Sequence, residues 1–133
     1  MNPGAHGGLH HMTSDNISGL GVILGSAQTD PLIAWYRAVL EPLGAKWHQH
    51  MLTIGPTIIG FDERDDVAEK STEPGRQMIN IMVKDIRAAE AHLNTLDVNW
   101  VRPVEDVGDG WYFSTVTDPD GNYVQFLQGP VTA

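Results

Sequence analysis

The stretch Met78-Ile79-Asn80-Ile81-Met82-Val83-Lys84-Asp85-Ile86 decides the fold, because a strand pattern ends in it and a helix pattern begins. Met78 to Val83 is a short apolar run, as a single strand requires. Asp85 then offers a capping carboxylate, and Ile86, Ala89, Leu93 and Leu96 recur as one apolar helical stripe. His92 falls on the polar side of that helix. Three strands are expected beyond it, over Val98–Val104, Gly110–Thr117 and Asn122–Leu127. The last two are joined by a turn at Asp118-Pro119-Asp120-Gly121.

Toward the N-terminus, Asp62 to Arg76 carries almost no apolar residue and reads as a solvated connection. It has no spacing suited to a calcium loop. Before it the same order occurs once already. Gly19 to Ser26 is an apolar run suited to a buried strand. Thr29-Asp30-Pro31 supplies a capping side chain and a first-turn proline, and Leu32, Tyr36, Val39 and Leu43 follow at helical spacing. Gly44 ends that helix, with Pro42 fraying its last turn. Ala45–Leu52 and Pro56–Asp62 read as strands broken by Gly55-Pro56. Each half is thus strand, helix, then two or three strands, which predicts two modules sharing one core.

Composition narrows the function. Eight Lys plus Arg against seventeen Asp plus Glu leave a formal charge of −9, which repels nucleic acid and anionic membrane surfaces. Without cysteine there is no disulfide, thiolate metal site or cysteine nucleophile, which suits a cytoplasmic location. Apolar runs such as Leu20 to Leu24 are too short to span a bilayer. The layout expected is a flexible leader over 1–17, one domain over 18–128 and a tail over 129–133. Within the domain the modules cover about 18–62 and 77–128, with an acidic linker at 63–76. His6, His10 and His11 of the leader can bind transition metals adventitiously.

Three segments together resemble the vicinal oxygen chelate superfamily, which includes glyoxalase I, bleomycin resistance proteins, fosfomycin resistance enzymes and extradiol dioxygenases. They are Trp35-Tyr36-Arg37-Ala38-Val39-Leu40, the stretch from Ile79 to Ile86, and Asp118-Pro119-Asp120-Gly121-Asn122, the most specific of the three. The resemblance covers roughly residues 18 to 128. It implies an α+β fold of two βαβββ modules whose curved mixed sheets surround a central cleft, with a homodimer completing or flanking it. Metal-dependent members hold one divalent ion there, on side chains from the first and last strands of each module.

Alignment on the family pattern places Gly21, Ile58 or Ile59, Met78 (with Gln77 a register slip away) and Gln125 at those four ligand positions. Such a set offers at most two amide oxygens and no charge, a poor cage for a divalent cation. No metal or other cofactor is therefore expected, and the metal-dependent activities of the family are disfavoured.

Strand alternation leaves Met78, Asn80 and Met82, and Tyr123, Gln125 and Leu127, facing the cleft, with Trp111 and Phe113 nearby and Gly21 and Ile23 opposite. Trp47, His48 and His50 complete the candidate ligand-binding set, since His48 and His50 alternate on one strand face. Each has a plainer reading. His48 and His50 suit a surface or cleft edge, Trp111 a core, and Asn80 and Gln125 amides that tie strands together. Trp35 and Tyr36 read as helix-packing residues. No pair announces general acid–base work, so the catalytic residues are unassigned. The expected function is metal-free binding of a small apolar or aromatic molecule, in a sequestering or accessory role. The alternatives are a lyase, isomerase or dioxygenase with a non-standard metal site or a metal-free cleft, and a dimerisation module without ligand chemistry.

Overall fold

In the computed structural model, which describes residues 15–130, the first apolar run forms β1 (Leu20–Ser26) and Pro31 sits in the first turn of α1 (Thr29–Leu40). The leader histidines and the last three residues of the tail lie outside the described residues. A single turn of 3₁₀ helix at Glu41–Leu43 closes on Gly44, whose φ of 121° a side chain would resist. Then come β2 (Lys46–His48), β3 (Met51–Ile54) and β4 (Thr57–Glu63). The second half gives β5 (Ile79–Met82), α2 (Ile86–Asn94), β6 (Asn99–Gly108), β7 (Trp111–Thr117) and β8 (Tyr123–Gln128). Each half makes one mixed sheet, ordered β1-β4-β3-β2 and β5-β8-β7-β6. In each, the strand before the helix pairs in parallel with the last strand and the other pairs are antiparallel. Two βαβββ modules are therefore present, as the repeat in the sequence implies.

Several boundaries differ from the sequence reading. Ala45–Leu52 is not one strand but a hairpin, because Gln49 and His50 both take positive φ (51° and 63°) and turn the chain. Such turns favour Asn and Gly, and neither is present to mark this one. The cap of α1 comes from across the sheet: Glu63 Oε1 accepts from the Thr29 amide at 3.0 Å and from its hydroxyl at 2.6 Å. Those bonds lower the Glu63 pKa, the hydroxyl most. On α2, Asp85 caps as expected by accepting from the amides of Arg87 and Ala88, whereas Leu96 lies past the helix and is half-exposed.

One core cluster spans both modules. Leu32, Tyr36, Val39 and Leu40 of α1 meet Ile86 and Leu93 of α2 and the inward residues Leu52, Ile59, Val116, Val124 and Phe126. Polar bonds also join the halves. His92 is not turned to water: its Nε2 lies 3.1 Å from the carbonyls of Ala38 and Val39, and as a donor it satisfies groups left open at the end of α1. The Tyr36 hydroxyl, fully buried, donates to Asp118 Oδ2 at 2.7 Å. Burial, reinforced by the Asp118 carboxylate, pushes the phenol pKa well above its ordinary value.

Replacing Tyr36 with Phe leaves the buried Asp118 short of a donor and should cost about 1 to 3 kcal/mol in urea denaturation at neutral pH. The phenol is held neutral in the folded chain, so its contribution is whole below an ordinary tyrosine pKa of 10.0 and declines above it as the unfolded chain ionises. The alkaline decline should be shallower in Tyr36→Phe than in the parent.

Candidate ligand-binding site

The sheet faces turned away from the helices carry the candidate site. On the first sheet, Gly21 pairs with Ile58 and Ile23 with Gly60. Each isoleucine lies over the opposite glycine: a Cβ on Gly21 would stand 2.8 Å from Ile58 Cγ1, and one on Gly60 2.8 Å from Ile23 Cδ1. The reciprocal pairs make a low hydrocarbon floor. In the same register Ile59 is buried in the core, whereas Ile58 shares the face of Gly21.

A cavity of about 570 Å³ opens where the free edge of β1, from Gly21 to Leu24, meets Gln77, Met78 and Ile79 at the start of β5. Tyr123 and Asn122 close one side, and Ser71, Glu73 and Arg76 of the linker close another. The linker is largely exposed, as its composition implies, yet it is also docked. The Ser71 amide donates to the Asp120 carbonyl at 2.8 Å and Lys70 Nζ to the Pro119 carbonyl. No sequence pattern announced this wall.

The candidate residues fall into three groups. Gly21, Met78 and Tyr123 line the cavity. Asn80 and Gln125 are cross-strand partners on β5 and β8, with Gln125 Nε2 donating to Asn80 Oδ1 at 3.2 Å; Phe113 stands in register with Leu127 at the far end of that face. The Arg102 guanidinium lies 5.4 Å from the Phe113 ring centre. Trp47, His48, His50 and Trp111 are not among the residues that line the cavity. Trp47 packs on the core under the Arg37 guanidinium, 4.7 Å from its ring centre, and Trp111, at the start of β7, lies against Gly129. His48 and His50 do not share a strand face: β2 ends at His48, and His50 sits in the turn.

Of the residues that the sequence reading aligns with the family's ligand positions, Gly21 and Ile58 stand opposite one another in register, with Ile58 hydrocarbon lying over the glycine. Among the described residues no three His, Cys, Asp or Glu side chains gather as a metal site. As a set, Gly21, Ile58, Met78 and Gln125 offer no anionic or imidazole donor to a divalent ion.

The family model of the Glyoxalase/Bleomycin resistance protein/Dioxygenase superfamily matches residues 19–126. None of the curated proteins compared with the chain matches it. Solved structures do. TioX from Micromonospora sp. ML1 superposes with a TM-score of 0.60 at 19% identity, over 84% of this chain and 96% of its own. Lactoylglutathione lyase from Agrobacterium tumefaciens gives 0.62 at 16%, over 83% and 92%. A glyoxalase/bleomycin resistance protein from Catenulispora acidiphila gives 0.64 at 20%, over 86% and 100%. Likeness at these identities carries the fold alone.

A methyl group added at Gly21 must displace Ile58, so Gly21→Ala should destabilise the chain by about 1 to 3 kcal/mol. In a double-mutant cycle read by urea denaturation, Ile58→Ala should cost less in the Gly21→Ala background than in the parent. Simple additivity would mean that the two side chains do not compete for this space.

Proposed function

This chain belongs to the Glyoxalase/Bleomycin resistance protein/Dioxygenase superfamily, and on that premise we propose that it binds a small apolar or aromatic molecule in its cleft without a metal ion. Its role would be sequestration or an accessory one. The observation that carries this reading is Ile58 lying over Gly21, with Met78 lining the same cavity as that glycine. A Lewis acid needs anionic or imidazole donors, and these positions supply hydrocarbon, a thioether and one amide. Met78, Ile23 and Tyr123 suit flat apolar ligands, because thioether, aliphatic and aromatic groups all pack well against a ring. Binding needs no general acid or base, and among the described residues no histidine borders the cavity.

Titration of the full chain carrying His6→Ala, His10→Ala and His11→Ala with Ni, Zn, Mn and Fe(II) should leave far less than about one tightly held metal per chain by elemental analysis. Flat aromatic compounds should bind saturably, with affinity unchanged by chelator. A stoichiometric metal, or a varied compound panel that shifts neither fluorescence nor melting temperature, would overturn the reading.

We also propose that two copies of the chain associate. Ile17, just before β1, and Leu20, its first residue, are 89% and 72% exposed, a costly display of apolar surface for an isolated chain. Sedimentation should show a two-chain species that Leu20→Lys dissociates. A parent that sediments as one chain at high concentration would remove this element.

A further inference from the structure

On the second sheet the cleft face is a small array, with Asn80 and Met82 on β5, Met78 just before it, and Tyr123, Gln125 and Leu127 on β8. Its centre is polar and its frame apolar. Asn80 and Gln125 stand directly opposite one another, and a single hydrogen bond joins them, from Gln125 Nε2 to Asn80 Oδ1. Two primary amides can form a ring of two bonds, each accepting from the other. Here only one is made, so among the described residues Gln125 Oε1 remains a free acceptor and Asn80 Nδ2 a free donor. Gln125 keeps its second N–H as well. Whichever way either amide is turned about its last bond, the pair still presents donors beside acceptors and no net charge.

Around this centre, Met82 is 78% exposed and Met78 44%, so the flanking thioethers are open to a ligand's ring. The charges bordering the neighbouring cavity are paired with each other, Arg76 Nη2 lying 2.8 Å from Glu73 Oε1. The surface therefore asks for a neutral partner with its own donor and acceptor close together on a flat body.

We infer that the second module recognises the cis-amide edge of a planar ring, a lactam or imide. Ring N–H donates to Gln125 Oε1, and ring C=O accepts from the free amide hydrogens of Gln125 or Asn80. Met78 and Met82 pack beside the ring. A carboxylate would set an anionic oxygen against Gln125 Oε1, and a hydrocarbon edge would leave the amide groups covered and unpartnered. The inference rests on the proposal that the cleft binds flat apolar molecules, and it specifies their polar edge.

Calorimetric titration of the full chain with isoquinolinone, N-methylisoquinolinone, naphthalene and naphthoate separates the two. Isoquinolinone should bind at least about tenfold more tightly than each of the others. Gln125→Met should bring the isoquinolinone and naphthalene affinities to within about twofold, whereas an amide that merely ties strands would alter stability and leave their ratio alone. Equal binding of isoquinolinone, its N-methyl form and naphthalene to the parent would overturn the lactam assignment while leaving apolar binding in place. Tighter binding of naphthoate would overturn it too, in favour of Arg76. Saturable binding by none of the four would overturn the underlying reading. If Gln125→Met does not fold, the comparison of isoquinolinone with its N-methyl form on the parent decides alone.

Discussion

The buried carboxylate of Asp118 is the constraint on which the arrangement depends. It lies almost wholly out of water, where an unsatisfied charge is costly, and four donors meet it. Oδ1 accepts from the amides of Asp120 and Asn122, and Oδ2 from the Tyr36 hydroxyl and the Asn122 side chain. Three of those bonds fix the turn that launches β8. The fourth reaches α1 in the other module. Nearby, Asp120 accepts from Gln28 through its side chain and from the linker through its carbonyl. The start of α1, the linker and the last strand are therefore gathered around one turn. That turn sets the phase of β8, with Val124 and Phe126 inward and Gln125 outward.

With the strands so phased, the chemistry of the cleft follows from a few side chains. Across β1 and β4 the glycine–isoleucine pairs give a surface that packs closely and offers no donor electrons. Across β5 and β8 the same face carries a linked amide pair between methionines. One sheet supplies a dry platform and the other a hydrogen-bonding centre. The docked linker encloses the space between them, so a segment that composition marks as mere connection also shapes the cavity.

Much of this was legible in the residues. The helix stripes, the Asp85 cap and the Asp118–Gly121 turn identify the repeat, and period-two alternation assigns the faces of β5 and β8. What was not legible depends on long-range contacts. Nothing local marks Glu63 as the cap of α1, 34 residues away in sequence. His92 looks solvent-facing on a helical wheel, and only the packing of α2 against α1 turns it toward carbonyls. The two-residue turn at Gln49-His50 lacks the residues that usually betray such turns, so the histidines appeared to share a strand. Tyr36 reads as packing from sequence, and its phenol becomes a polar anchor only when the far turn arrives.

The Tyr36–Asp118 bond also bears on how a tandem fold can change over time. In strand order the halves are equivalent, which is the mark of a duplicated unit. In chemistry they have diverged into complements: the first holds the phenol, and its own turn before the last strand is only Gly55-Pro56, while the second holds the carboxylate. Two copies of the first half would bring together phenols with no carboxylate, and two copies of the second would bring carboxylates with no phenol. Each half therefore depends, for this one bond, on a group that the other carries, and copies of a single half could not remake it.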